Sequence, residues 1–229
     1  KMKIMKFGGT SVGKPERMKE VSRLITADQE SKIVVLSALS GTTNKLVEIS
    51  KHCFNRDKVT AKAEIDALEV HYRNFIKELL HQDPTYQKAE SILNEHFDFL
   101  NITTKVSYSE ALNKDILAQG ELLSTKLFSC YLEENGIAHH LLPALDFMVI
   151  DVNDEPQIPM IRSKLLPILA ATSDSQIYVT QGYICLNARG EVDNLKRGGS
   201  DYSASLIAAA VQASVCEIWT DIDGMHNND

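Results

Sequence analysis

Short apolar runs rich in β-branched residues alternate along this chain with longer segments of helical periodicity. The runs are candidate strands, and the longer segments predict helices between them. Strands separated by helices are typical of an α/β fold, so we expect a three-layer sandwich with a largely parallel central sheet. The predicted strands are 4–7, 32–37, 137–142, 176–180 and 215–220, and the predicted helices are 15–27, 119–134, 158–171 and 200–213.

One long stretch departs from this alternation. Helical periodicity dominates from about Asn44 to Leu100, with a break at Asp83-Pro84, and the stretch is polar. We interpret it, together with the residues up to 118, as a helical insertion or lid rather than as core.

Polar and glycine-rich residues follow four of the predicted strands, at 8–11, 37–43, 180–182 and 220–224. In parallel α/β sheets, ligands bind outside the carboxyl ends of the strands. Four such strand ends predict a phosphate or nucleotide site at one edge of the sheet.

The first strand end has the sequence Lys6-Phe7-Gly8-Gly9-Thr10-Ser11-Val12. Gly8 and Gly9 lack Cβ atoms, so backbone N–H groups there can approach phosphate oxygens closely. The hydroxyls add donors, and Lys6 adds a compact charge that can follow a moving phosphoryl group. The alternative is a glycine-rich turn beside a solvated lysine.

The same region imitates a P-loop. Gly8 to Lys14 matches G-x-x-x-x-G-K, but Pro15 stands where that motif needs a hydroxyl for magnesium. Proline here is typical of the first residue of a helix. We therefore reject the P-loop and take Lys6, not Lys14, as the candidate phosphoryl-transfer lysine.

A second candidate anion site is the segment Arg197-Gly198-Gly199-Ser200-Asp201, which opens a predicted helix. A helix N-terminus offers unpaired N–H groups and the positive end of the dipole, and Arg197 can clamp a carboxylate or phosphate. In the alternative, Ser200 or Asp201 caps the helix and Arg197 lies in solvent.

Two acidic segments leave alternatives open. Glu121 lies in the first turn of the helix predicted from Gln119, where it either complements the helix dipole or receives the ammonium of an amino-acid substrate. Trp219-Thr220-Asp221-Ile222-Asp223-Gly224 ends a strand with two carboxylates. These would hold magnesium, contact a ribose or adenine, or form an Asx turn.

The bulk properties exclude several classes of protein. A net charge of −7 argues against a general nucleic-acid binder, and no apolar run is long enough to cross a membrane. The four cysteines are widely spaced without a C-x-x-C pair, so we expect reduced thiols in a cytoplasmic protein without a zinc site. Because the chain stops just after a predicted strand and turn, we expect the natural protein to continue past Asp229.

Together these segments resemble the aspartate kinases of the amino acid kinase family. Lys6–Val12 matches the family's K-F-G-G-T-S-V signature in full, and the resemblance covers residues 1–229. It implies the amino acid kinase (carbamate kinase-like) fold. The other matching segments follow in the family's order and approximate spacing: 34–44, 120–125, 180–182, 197–201 and 219–224.

The resemblance implies transfer of the γ-phosphoryl group of ATP, carried with Mg²⁺, to the side-chain carboxylate of L-aspartate. The product, 4-phospho-L-aspartate, would lead to lysine, threonine and methionine. Lys6 would neutralise the transferring group, Asp201 would orient Lys6, and Mg²⁺ would keep most of its waters without dedicated protein ligands. Implied nucleotide contacts are Lys6, Phe7, Gly8, Gly9, Ser37, Thr220, Asp221 and His226. Implied aspartate contacts are Thr43, Glu121 on the ammonium, Arg197 on the α-carboxylate, Gly198, Gly199 and Ser200.

The chain departs from the family pattern at several positions. Lys196 and Cys185 stand where glycines are frequent, and His226 stands where a nucleotide-contacting tyrosine is common. The segments that the family has beyond this point, including ACT regulatory domains, are absent from the chain. We expect a homodimer or larger homo-oligomer formed through them, and weak or no activity from residues 1–229 alone.

Two alternatives remain open. Another amino acid kinase would act on glutamate, acetylglutamate or a nucleoside monophosphate, although Glu121 favours a substrate with a free ammonium. A non-catalytic relative would bind ATP or an amino acid as a sensor, but such a protein does not need Lys6, Arg197 and Asp201 together. A kinase that stands alone and one fused to homoserine dehydrogenase are equally compatible with the sequence.

Overall fold

The computed structural model describes residues 2–220 and 225–228, the last four as backbone only. Helices and strands alternate along most of it, as the apolar pattern predicts. In chain order the elements are β1 (Met2–Phe7), α1 (Gly9–Val12), α2 (Pro15–Ile25), β2 (Ser31–Leu36), α3 (Thr42–Phe54), α4 (Lys58–Leu79), α5 (Asp83–Thr103), α6 (Glu110–Glu134), β3 (His140–Leu142), α7 (Ile158–Ala171), β4 (Ile177–Gln181), β5 (Ile184–Leu186), β6 (Val192–Asn194), α8 (Gly199–Val211), β7 (Val215–Trp219) and β8 (Met225–Asn228).

The main sheet has six strands in the order β3-β4-β2-β1-β7-β8. All neighbours are parallel except β7 and β8, which are antiparallel. β1 lies inside the sheet, where Lys6 is in register with Val35 of β2 and Ile218 of β7. Because β1, β2, β4 and β7 run in the same direction, their carboxyl ends meet at one edge.

Helices cover both faces of this sheet. Strand alternation points Met5 and Phe7 to one face, where they join a buried cluster with residues of α2 to α6. Ile4 and Val35 point to the other face and pack with residues of α7 and α8. The predicted three-layer sandwich with a largely parallel sheet is therefore confirmed.

The interpretation of the long helical stretch as a lid outside the core is wrong. Ile65 and Tyr72 of α4 and Leu93 of α5 are fully buried in the same cluster as Phe7 of β1. A polar composition did not mean that the stretch lies outside the core, because α4 and α5 each bury one apolar stripe and expose their other faces. That the stretch is an insertion stays a prediction.

Helix α6 begins nine residues before the predicted start, at Glu110 instead of Gln119. The Ser109 hydroxyl caps it by accepting from the Leu112 N–H at 3.0 Å. Glu121 thus lies in the middle of the helix, and the prediction that it sits in the first turn is wrong, as is the dipole alternative. Most residues of α6 from Ile116 to Thr125 are buried, so the segment lacks the amphipathic period that marks a helix.

The remaining differences are small. The hairpin of β5 and β6 and the four-residue helix α1 have no counterpart in the predicted elements, because such short elements carry too few periods to detect. The strand predicted at 137–142 is formed only from His140. Among the described residues, no helix has the length and apolar character needed to span a membrane.

Candidate active site

The carboxyl ends of β1, β2, β4 and β7 border one cleft of about 620 Å³. Nine of the residues singled out from the sequence line it, and all of them belong to the strand ends, to the start of α8, or to α3 and α6, which pack beside them. They are Lys6, Gly8, Gly9, Ser37, Thr43, Glu121, Gly199, Ser200 and Thr220.

Lys6, which lines the cleft, is held by an ion pair. Its Nζ lies 2.7 Å from Oδ1 of Asp201, in the first turn of α8. The Lys6 side chain is 12% exposed and lines the cleft, whereas Asp201, 53% exposed, holds it without being one of the lining residues. A methyl group on Gly8 would lie 3.2 Å from Lys6 Nζ, so the ammonium sits directly beside the glycine turn.

The glycine turn packs closely against the neighbouring strand end. A methyl group on Gly9 would lie 3.0 Å from the carbonyl oxygen of Ala38, which is tighter than an ordinary contact. The Thr10 hydroxyl donates to the carbonyl oxygen of Thr220 at 3.2 Å and so joins the ends of β1 and β7. The turn therefore has a fixed backbone along which a phosphate can lie.

The end of β2 is joined to the start of α8 by two serines. Ser37 Oγ donates to Ser200 Oγ at 2.9 Å, and the Ser37 carbonyl oxygen accepts from Ser124 Oγ at 2.7 Å. Gly182, after β4, packs so closely on Ser200 that any side chain there would overlap it. These contacts set the position of the α8 N-terminus relative to Lys6.

Glu121 is a buried carboxylate at the floor of the cleft. It is 3% exposed, and its Oε2 has no hydrogen-bond partner among the described residues. Burial raises the pKa of this carboxyl to about 8. The phenols of Tyr72 and Tyr183 are near enough that its charge also raises their pKa values, beyond the larger effect of burial. A cationic ligand group would supply the missing partner.

Arg197 is not brought into the cleft. Its side chain is 76% exposed, 3.9 Å from Glu155 Oε2, and its guanidinium carbon lies 6.0 Å from the centroid of the Tyr202 ring. The prediction that this side chain joins the aspartate contacts is not met in this structure. The adjacent Lys196 instead reaches Asp193 at 3.4 Å.

The start of α8 differs from the predicted cap. The N-cap is Gly198, with φ +69° and no side-chain cap, so neither Ser200 nor Asp201 caps the helix. A methyl group on Gly198 would lie 2.8 Å from Tyr202 Cβ, so both the backbone conformation and the space require glycine. Ser200 and Asp201 are thereby left to contact Ser37 and Lys6.

The side chain of one predicted nucleotide contact points away from this cleft, and two further predicted contacts fall outside the described side chains. Phe7 is fully buried on the opposite face of the sheet and stacks on Trp219 at 5.8 Å between ring centroids. Only its backbone can face a nucleotide. Asp221 lies outside the described residues, as does the side chain of His226, whose backbone pairs with Ile218.

Tyr183 lines the cleft but was missed from the sequence. Its backbone has φ +71°, a left-handed conformation that residues other than glycine rarely adopt. Its N–H donates to Ser203 Oγ at 2.8 Å and its carbonyl oxygen accepts from the Leu195 N–H at 2.9 Å. Its place directly after Gly182 at a strand end was the available signal. The other lining residues fall within the predicted strand ends 8–11 and 37–43 or the matching segment 34–44, although they were not assigned individual contacts, and they are Thr10, Ala38, Leu39, Ser40, Gly41 and Asn44.

The cleft thus combines a cationic, glycine-lined strand end with an unpartnered buried carboxylate. Such a site can bind a phosphate at one end and an ammonium at the other. Among the described residues, no group of three His, Cys, Asp or Glu side chains is placed to hold a metal ion.

Comparisons with known proteins agree with this architecture. The sequence profile of the amino acid kinase family matches residues 1–229. The chain is 30% identical over 231 residues to lysine-sensitive aspartokinase 3 of Escherichia coli, covering 99% of this chain and 50% of that protein. It is 31% identical over 237 residues to chloroplastic aspartokinase 2 of Arabidopsis thaliana, covering 97% and 42%.

Solved structures give the same result. E. coli aspartokinase III in complex with lysine and aspartate superposes with a TM-score of 0.82 at 28% identity, over 96% of this chain and 49% of that one. The complex of that enzyme with aspartate and ADP gives a TM-score of 0.78 at 29% identity, again over 96% and 49%. The chain therefore spans about half the length of these relatives.

Proposed function

The chain belongs to the amino acid kinase family, and we propose that it transfers the γ-phosphoryl group of ATP to the side-chain carboxylate of L-aspartate. The products would be 4-phospho-L-aspartate and ADP, in the first step toward lysine, threonine and methionine. The observation that carries this proposal is the unpartnered Glu121 carboxylate in the same cleft as Lys6 and the glycine turn. The similarity to aspartokinases supports it along the whole chain.

Lys6 and Asp201 carry the transfer itself. The attacking group is a carboxylate, which is already ionised, so no general base is required. Catalysis then rests on positioning and on stabilising the charge of the transferring group. Lys6 supplies that charge beside Gly8, and the 2.7 Å ion pair with Asp201 sets its direction.

Aspartate is held at the other end of the cleft. Glu121 receives its ammonium, while Thr43, Gly199 and Ser200 lie where they can donate to its carboxylates. Arg197 turns in from solvent to bind the α-carboxylate. Its present contact with Glu155 is long and joins two exposed groups, so little free energy is lost when it breaks.

The nucleotide lies along the glycine turn. Gly8, Gly9 and Ser37, which line the cleft, would face its phosphates, together with the backbone of Phe7, and Thr220 would contact the nucleotide from the end of β7. The nucleotide contacts of Asp221 and His226, like the aspartate contact of Gly198, remain predictions. Mg²⁺ fits this donor set as an ion carried mainly by the phosphates and water, where it would neutralise phosphate charge.

The proposal extends to assembly and location. We expect a homodimer or larger homo-oligomer, with neither nucleic acid nor membrane as a partner. The four cysteines are free thiols, as in proteins of the reducing cytoplasm.

The test is ADP release by the full-length natural protein with Mg-ATP and, in turn, aspartate, glutamate, acetylglutamate and UMP. Release with aspartate alone, abolished in Lys6→Met, would support the proposal. Release with another acceptor would overturn the substrate. No release with any of the four, despite ATP binding, would instead favour a sensor.

A further inference from the structure

A second cavity of about 530 Å³ adjoins the candidate active site. It shares Thr10, Ser40 and Thr220 with the cleft that holds Lys6. Its other lining residues come from the end of α1 and the start of α2, and they are Gly13, Lys14 and Arg17. The two cavities therefore form one continuous surface that passes over the glycine turn.

Two cations face this second cavity. Lys14 and Arg17 are three residues apart at the start of α2, which puts them on one side of the helix. Both are exposed, and neither side chain has an ion pair or hydrogen bond among residues 2–220. The other cations of α2 are engaged, because Lys19 donates to the Glu78 carbonyl oxygen and Arg23 pairs with Glu20.

The backbone that carries these cations is firmly placed. A methyl group on Gly13 would lie 2.8 Å from Ser40 Cβ and 3.1 Å from the Gly9 carbonyl oxygen, so this connection packs directly on the glycine turn. The Lys14 carbonyl oxygen accepts from the N–H of Arg17 and of Met18, both at 3.1 Å. A fixed backbone lowers the entropy lost when the side chains bind a ligand.

We propose that Lys14 and Arg17 form a second anion subsite, which binds the nucleotide phosphates that are not transferred. This rests on the proposed function, which makes a nucleotide the ligand of the adjoining cleft. Arginine binds phosphate with two parallel hydrogen bonds and lysine binds it as a point charge. The hydroxyls of Thr10 and Ser40 line the same surface and add donors between this subsite and Lys6.

This arrangement differs from the P-loop that residues 8–14 imitate. In a P-loop, the lysine at this position reaches the β- and γ-phosphates that the loop itself encloses. Here Lys14 faces the adjoining cavity while Lys6 lies beside Gly8, so the two lysines divide the phosphate chain between them.

The test is calorimetric binding of ADP with Mg²⁺, and separately of adenosine, to the protein and to Lys14→Gln/Arg17→Gln. Removing two charge-assisted contacts should weaken ADP binding at least about tenfold. Adenosine, which has no phosphate, should bind unchanged. ADP binding by the unmodified protein should also fall more steeply with salt than that of the double variant.

Lys19→Gln is the control, because it removes a charge from the same helix outside the cavity. Equal loss of ADP affinity in Lys19→Gln would overturn the inference. The loss would then come from the lower net positive charge of the helix and not from contacts made by Lys14 and Arg17. It would also be overturned by unchanged ADP affinity in the double variant, or by no ADP binding to the unmodified protein.

The proposed function is judged separately, by aspartate-dependent ADP release from the full-length natural protein. Failure of that release with the tenfold effect intact would leave the subsite standing and remove aspartate as acceptor. Normal aspartate-dependent release together with unchanged ADP affinity in the double variant would support aspartate as the acceptor and remove the subsite.

Discussion

At the scale of single residues, the site depends on how two ionisable groups are placed. Lys6 is strongly paired, 2.7 Å from Asp201, whereas the buried Glu121 has an oxygen with no partner. The ion pair fixes the Lys6 ammonium at the glycine turn, where it can stabilise the charge of a transferring phosphoryl group. A buried carboxylate without a partner is costly, so Glu121 is a group whose partner would be supplied by the ammonium of the substrate.

Lys6→Met should remove the charge that stabilises the transferring phosphoryl group. Removing one such preorganised contact costs about 3–4 kcal/mol of transition-state stabilisation, which corresponds to a loss of about 100- to 1,000-fold in kcat. The thermal midpoint should change little, because the side chain faces the cleft. Near-normal kcat in a folded variant would refute the assignment of Lys6.

Aspartate binding should tighten as pH rises from 6 to 8. The raised pKa of Glu121, about 8, keeps its carboxyl protonated in the empty site at lower pH, so ammonium binding must release that proton. The dissociation constant should fall by about tenfold per pH unit below this pKa and level off near it. Titration calorimetry in buffers of different ionisation enthalpy would also count the proton.

Glu121→Gln is the matched variant for this measurement. It keeps the shape of the side chain but cannot ionise, so aspartate affinity should be weaker and no longer vary between pH 6 and 8. The KM for ATP should not change. A slope that persists in Glu121→Gln would place the titrating group elsewhere.

At the scale of elements, close packing at glycine positions aligns the strand ends with α8. Gly182 contacts Ser200 without space for a side chain, and Gly198 starts the helix in a left-handed conformation. These contacts, rather than a helix cap, determine where Ser200 and Asp201 point. Small changes in the position of α8 should therefore affect catalysis more than folding.

Gly182→Ala should push the α8 N-terminus away from β4 and lengthen the Ser37–Ser200 hydrogen bond. We expect kcat/KM for aspartate to fall at least about tenfold, since small displacements of positioning groups have large effects on rate. Overpacking of this kind costs about 1–3 kcal/mol of stability, which a denaturant titration would measure. Unchanged kcat/KM would mean that α8 tolerates the displacement.

At the scale of the whole molecule, one acidic side chain neutralises a lysine in the core. The Lys32 side chain is 1% exposed and its Nζ lies 2.6 Å from Asp28 Oδ1. It also donates to the Ile25 carbonyl oxygen at 2.7 Å. The Lys32 hydrogen bond holds the pKa of the Asp28 carboxyl well below its usual range, and Lys3 contributes further.

Asp28→Asn should destabilise the protein by about 1–3 kcal/mol at neutral pH, because Lys32 stays buried without its counter-ion. A lowered carboxyl pKa contributes stability above the unfolded pKa, and this is lost as pH falls toward the folded value. The difference between the two proteins in urea unfolding should thus be constant above about pH 5 and shrink below pH 4.

Asp66→Asn is the control for this comparison, since its ion pair with Lys62 joins two exposed side chains. That change should cost less than about 0.5 kcal/mol. Equal losses in the two variants would show that burial of Lys32 adds nothing to the interaction.

The sequence by itself predicted the alternation of strands and helices, the three-layer sandwich, and the polar strand ends that border the cleft. Side-chain alternation, proline at a helix start and glycine at a turn act within a few residues, so they leave a direct mark in the sequence. Helix α7 has the bounds that its periodicity predicts, 158–171.

Other features depended on contacts between residues far apart in the chain. Helix α6 is buried on most sides, so its sequence lacks the amphipathic period that would have shown its start at Glu110. For the same reason the burial of Glu121 could not be predicted. Arg197 faces Glu155 and Tyr202 instead of the cleft, and Lys14 faces a cavity completed by Thr220. Only tertiary structure could decide these, because burial, charge pairing and the direction of a side chain are set by which distant segments pack around it.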